Sequence, residues 1–136
     1  MEKSILIKNE LRELTRLNDF IGQAIEELRL APSTGMNVKL AVEEAVVNCI
    51  SYAYPGETGK EIFIQLDCEP EKLTVVITDY GIAFDPTAKQ DPDVSLPLDR
   101  RAVGGLGTYL TKQLMTRVSY CRGEGKNVLT LTKKLH

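Results

Sequence analysis

Glu44 and Asn48 stand one helical turn apart in the run Glu44-Ala45-Val46-Val47-Asn48, a spacing that stacks two side chains on one face of a helix. A neutral amide oxygen is a hard ligand suited to Mg²⁺, and a carboxylate can accept a proton or orient a nucleophile. Asp79 closes the apolar run Leu73 to Thr78 and is followed by Tyr80-Gly81. An acceptor-only carboxylate at the base of an apolar pocket can take the exocyclic amino group of adenine, and Gly81 lets the backbone turn beside the base with no Cβ in the way. Gly104-Gly105-Leu106-Gly107-Thr108 opens a helix, where unpaired N–H groups and the helix dipole favour an anion and glycines let phosphate approach. A base, a metal ligand, an adenine acceptor and a phosphate loop are together the inventory of phosphoryl transfer.

Each segment alone is ordinary: a solvated helix face, a strand ending in an Asp-Gly turn, a flexible glycine hinge. The helix carrying Glu44 and Asn48 separates these readings. At 100° per residue, Val38, Val42, Ala45, Val46, Cys49 and Ala53 form one broad sheet-facing side, while Asn37, Glu44, Asn48 and Ser51 fall on a narrow polar strip. Leu40 and Val47 flank that strip on one edge, Ala41 and Tyr52 on the other. A polar strip hemmed by apolar residues lines a cleft rather than open solvent. Lys39 and Glu43 occupy another sector as a surface ion pair, so Glu44 is the functional acid.

The elements that position these residues follow from periodicity. A strand over Ser4 to Lys8 is followed by a helix from about Glu10 to Leu28, with Leu11, Leu14, Leu17, Ile21, Ile25 and Leu28 at helical spacing. Pro32-Ser33-Thr34-Gly35 breaks the pattern and caps a second helix from about Met36 to Tyr54, which Pro55-Gly56 ends. Strands span Glu61 to Cys68 and Lys72 to Asp79 across a hairpin-length link, Glu69-Pro70-Glu71. From Gly81 to Val103 runs a long loop with Pro86, Pro92 and Pro97, and a loop of that length inside a compact domain is more often functional than accidental. A third helix runs from Gly105 to Met115, and strands over Arg117 to Arg122 and Asn127 to Lys134 turn through Gly123-Glu124-Gly125. Hairpins with helices grouped elsewhere give an α+β two-layer sandwich, one domain over residues 1–136, with three helices on one face of a mostly antiparallel mixed sheet.

Composition bounds the function. The 136 residues suffice for one core; 43% hydrophobic and 26% charged residues are ordinary globular values. A net charge of −2 and 6% aromatics give no reason to expect nucleic acid. No apolar run approaches the roughly 20 residues that span a bilayer and no signal-peptide core opens the chain, so a cytoplasmic protein is expected. Cys49, Cys68 and Cys121 are odd in number and far apart, which suggests small core residues rather than a disulfide framework or metal knuckle. His136, the only histidine, is the last residue, and no GxxxxGK[ST] P-loop occurs.

The three segments, in this order, resemble the motifs of the histidine-kinase-like (GHKL) ATPase family, and among its members the stand-alone anti-sigma factor serine kinases. The resemblance runs over nearly the whole chain. It implies a Bergerat-type ATP-binding fold, ATP and Mg²⁺ as cofactors, Asn48 as the metal ligand and Glu44 as general base. It also implies nucleotide contacts from Asp79, Gly81, Gly104, Gly105, Gly107 and Thr108, with residues 85–103 as a lid. Arg100 and Arg101 stand just before the glycines, with Arg101 assigned to phosphate; a partner protein or solvent would serve such a pair equally. Ala83 replaces the second glycine of the family's Asp-x-Gly-x-Gly, although related kinases show Asp-x-Gly-x-x-Phe-Asp-Pro, which Phe84-Asp85-Pro86 matches. In the last hairpin Gly125 is followed by Lys126-Asn127, where many relatives place a threonine that helps to hold adenine.

By resemblance, then, the chain is expected to phosphorylate a serine on a small anti-anti-sigma-like antagonist and to sequester a sigma factor, as a homodimer. Two other readings stay open at this point: a catalytically silent ATP-binding module that sequesters its partner, and a detached ATP-binding domain of a two-component sensor. In the last case the phosphoacceptor histidine would lie on another chain, since the first helix has none.

Overall fold

The computed structural model describes residues 1–88 and 111–135. Two helices and helical residues 111–114 lie on one face of a five-stranded sheet. The strands are β1 Glu2–Lys8, β2 Glu61–Cys68, β3 Lys72–Asp79, β4 Arg117–Gly123 and β5 Lys126–Lys134, in the order β1-β2-β3-β5-β4. Every pairing is antiparallel, so the sheet among the described residues is not mixed. The β4–β5 turn uses Glu124 and Gly125 at φ 54° and 76°, the two left-handed positions of a type I′ hairpin. β5 inserts beside β3 and sends β4 to the edge. The last hairpin is thereby in contact with the centre of the sheet.

Alternation sends Ile62, Ile64, Leu66, Leu73, Val75, Ile77, Leu129 and Leu131 inward, all buried. Each such side chain contributes about 1.5–3 kcal/mol relative to exposure. They pack against Leu17, Ile21 and Ala24 of α1 Leu14–Glu27 and against Val38, Val42, Ala45 and Val46 of α2 Pro32–Asn48. All six residues assigned to the sheet-facing side of the second helix are buried.

Five local expectations are corrected. The first helix is split: a 3₁₀ turn at Leu11–Glu13 precedes α1, and Leu11 is exposed rather than core. α2 starts at Pro32, not Met36, because proline at the first helical position loses no hydrogen bond that the helix would make. Gly35 then continues the helix, its N–H donating to Ala31 O at 2.8 Å, and a Cβ there would stand 2.7 Å from Ile25 Cγ2, so the residue lets α1 and α2 approach closely. The α-helix ends at Asn48, and Cys49–Ala53 form a π turn in which Tyr54 N–H donates to Cys49 O. Of the cysteines only Cys49 is buried; Cys121 is exposed. Lys39 and Glu43 are absent from the ion pairs among the described residues.

Candidate functional site

The π turn and the end of β3 interlock. Tyr54, which leaves the turn, donates its hydroxyl to Glu61 O at 2.9 Å and accepts from Tyr80 N at 2.7 Å, tying the start of β2 to the chain beyond β3. Ile82 N–H donates to Ala53 O at 2.9 Å. A Cβ on Gly81 would stand 2.2 Å from that same carbonyl oxygen, so the glycine is required by the backbone of the π turn. Single-turn π distortions recur at functional sites. Gly81→Ala is expected to lose about 1–3 kcal/mol of stability, since backbone must yield rather than a side chain. Thermal or urea unfolding measures it, and unchanged stability would mean that the turn moves aside freely.

Asp79 is buried at 2% exposure. Its Oδ1 accepts from Gly81 N–H at 2.9 Å and from Asn127 Nδ2 at 2.8 Å. Asn127 sits directly opposite it in the β3–β5 register and is itself 4% exposed. The Asn127 amide donates also to Ile82 O at 2.8 Å, while its Oδ1 accepts from Phe84 N–H at 3.3 Å, from Arg122 Nη1 at 3.2 Å and from the Tyr120 hydroxyl. Those donors and acceptors leave the amide one orientation. Arg122 Nη1 braces the same turn by donating to Gly81 O at 2.8 Å. Burial pushes the Cys49 thiol well above its ordinary range, and the Asp79 carboxylate beside it pushes the same way. The neighbouring Cys49 is therefore a neutral thiol, not a reactive thiolate.

Asp79 lies at the base of a cavity of about 20 Å³ between the end of α2 and the paired ends of β3 and β5. Ala45, Asn48 and Cys49 line it from the helix, Val118, Tyr120, Asn127 and Leu129 from the sheet, and Phe84, Pro86 and Thr111 close it. Its walls are apolar, with acceptors on the floor. Asn48, 6% exposed, faces this cavity, not open solvent.

Among the sequence-derived candidates, then, Asn48 and Asp79 share one cavity and Gly81 packs directly behind it. Glu44 is half-buried one turn before Asn48 and is not among the described lining residues. Gly104, Gly105, Gly107, Thr108 and Arg101 lie outside the described residues, as do Arg100 and most of the third helix. Asn127 escaped notice as a site residue. Its signal was phase: it alternates with Leu129 and Leu131, so a polar side chain had to point inward at the level of the strand-end acid.

A helix packed over a central antiparallel pair, with an acidic floor between the layers, defines the class: an α+β sandwich with a cavity between helix and sheet. Residues 7–133 match the family model described as a histidine kinase-like ATPase domain. Serine-protein kinase RsbW of Listeria monocytogenes is 35% identical over 104 residues, covering 74% of this chain and 66% of that protein. RsbW of Bacillus velezensis is 33% identical over 104 residues, covering 74% and 64%. The chain thus spans just under two thirds of the length of these curated relatives. In fold it is similar to the RsbU and RsbW domains of a Mycobacterium tuberculosis protein, with TM-score 0.69 and 13% identity over 99% of this chain and 32% of that one. The histidine kinase domain of an Erythrobacter litoralis blue-light activated kinase gives TM-score 0.54 at 16% identity, over 88% of this chain and 61% of that one. The chain belongs to the histidine kinase-like ATPase domain family. Among the described residues no helix is long and apolar enough to cross a membrane.

Proposed function

We propose that this chain is a Mg²⁺-ATP-dependent serine kinase that phosphorylates a small anti-anti-sigma-like protein and sequesters a sigma factor in the cytoplasm. The observation that carries the reading is the convergence of Asn48 and Asp79 on one apolar cavity, supported by the family match over residues 7–133 and by relatives named serine-protein kinases. Asp79 takes the adenine amino group, with Ala45, Val118 and Leu129 as apolar walls. The cavity holds about one water, so a purine enters by displacing Phe84 and Pro86, two of the three described residues that close it. Asn48 presents an amide oxygen suited to magnesium, which when bound neutralises charge on the phosphates. Glu44 accepts the proton of the attacking serine hydroxyl. Gly104, Gly105, Gly107, Thr108 and Arg101 are assigned to the phosphates.

The test is capture of partners on the full chain with and without ATP, followed by transfer from labelled ATP. Acid-stable label on serine of a small partner is the expected outcome. Label on histidine would replace this reading with a detached sensor domain. ATP-dependent capture without transfer would replace it with a silent sequestering module.

A further inference from the structure

The two oxygens of the Asp79 carboxylate are held unequally. Oδ1 accepts from Asn127 Nδ2 at 2.8 Å and from Gly81 N–H at 2.9 Å. An ionised carboxylate offers about four lone-pair sites, two on each oxygen, so these two donors use up Oδ1. The Cys49 thiol is a further hydrogen-bond partner of the same carboxylate from the helix side. Asn127 in turn has no freedom to withdraw. Its second amide hydrogen goes to Ile82 O at 2.8 Å, and its Oδ1 accepts from Arg122 Nη1 at 3.2 Å, from Phe84 N–H at 3.3 Å and from the Tyr120 hydroxyl. A flipped amide would set its oxygen against the carboxylate and its NH₂ group against those three donors. Asn127 and Asp79 both line the cavity, so the covered oxygen belongs to the cavity's own wall.

The two purines present different edges to such a floor. Adenine offers one donor group, its 6-amino, beside an acceptor, N1. Guanine offers two donors side by side, N1–H and the 2-amino group, beside an acceptor, O6. A carboxylate with both oxygens open takes guanine's pair in the forked manner in which it takes an arginine. With one oxygen covered it cannot, yet it still takes a single N–H from adenine and sets no second acceptor against N1. From this we infer that Asn127 decides which base the site accepts: by covering Oδ1 it converts Asp79 from a two-point acceptor, suited to guanine, into a one-point acceptor, suited to adenine. Asn127 acts through Asp79 and is a positioning residue. The inference rests on the proposed nucleotide site and extends it from the purine taken to the purine refused. Refusal by withheld hydrogen bonds is effective in a buried site, because the polar groups of the wrong ligand are left unpaired there.

The test is calorimetric titration of the full chain with ATP, GTP and ITP, the last carrying guanine's 6-oxo and N1–H but no 2-amino group. The wild type should bind ATP at least about 100-fold tighter than either of the others. GTP should bind it no tighter than ITP, since the 2-amino group finds no acceptor. Asn127→Ala uncovers Oδ1, and GTP should then bind at least about tenfold tighter than ITP, the worth of one hydrogen bond to a charged acceptor. ATP should weaken in the same variant, because the open Oδ1 now stands against N1. A merely structural Asn127 would lower all three affinities together, so an unchanged GTP-to-ITP ratio in a folded Asn127→Ala overturns the inference while ATP binding by the wild type keeps the nucleotide site. Circular dichroism reports whether the variant folds. The wild type decides the matter even where it does not: a wild type that binds GTP at least about tenfold tighter than ITP, or all three alike, overturns the inference with no variant needed. A wild type that binds none of the three removes the nucleotide site and the inference together.

Discussion

Asp79→Asn is expected to weaken ATP binding about 100-fold, the loss of a charge-assisted hydrogen bond together with the gain of an opposed donor. The size follows from how the side chain is held. Gly81 N–H and Asn127 Nδ2 both donate to Oδ1. An asparagine satisfies them by placing its own carbonyl oxygen at Oδ1, which forces its NH₂ group into the position of Oδ2. The acceptor proposed for the adenine amino group would become a donor facing a donor. Because the amide is isosteric and keeps both internal bonds, the fold survives, and the loss is separable from stability by thermal denaturation without nucleotide. Calorimetric titration with ATP measures it. Unchanged affinity in a folded variant would remove Asp79 from the site.

Glu44→Gln is expected to reduce phosphotransfer about 10²–10⁴-fold while ATP stays bound. A glutamine keeps the shape and hydrogen-bonding reach of the side chain but cannot take a proton. Glu44 is not among the described residues that line the cavity around Asp79, so its exchange is expected to leave the proposed adenine end untouched. Neighbouring Glu43 lies on another sector of α2 and serves as the control: Glu43→Gln should transfer normally. Single-turnover assays with labelled ATP, alongside equilibrium ATP binding, separate the two effects. Equal losses in Glu43→Gln and Glu44→Gln would reassign the proton acceptor. Full activity in Glu44→Gln would dismiss a side-chain base at this position.

Much of the architecture was legible because it rests on short-range patterns. The alternation in Ile62 to Leu66 and Leu73 to Ile77 and the turn residues Gly123-Glu124-Gly125 each declare a strand or hairpin within a few residues, and β2 and β3 begin and end where their patterns do. The 3.6-residue period likewise exposed the buried side of α2 and the distinct sector holding Glu44. Errors fell where a tertiary contact outweighs the local signal. Pro32 and Gly35 read as a break, yet proline suits a helix start and Gly35 is fixed by Ile25 of the preceding helix. Leu11 fits the helical stripe but lies in the 3₁₀ turn before α1, where its side chain is exposed.

The amino-acid sequence by itself determined the kinds of chemistry present and the elements that carry them: an acid and an amide one helical turn apart, an acid at a strand end, and a helix amphipathic enough to need a sheet. These are properties of near neighbours, governed by backbone period and side-chain type. The tertiary structure alone decided which distant residues meet. Insertion of β5 beside β3 sets Asn127 opposite Asp79 across 48 residues of chain and fixes the carboxylate's orientation. The same insertion makes β3 the middle strand of the five. Such pairings depend on loop closure and sheet order, which no local period encodes.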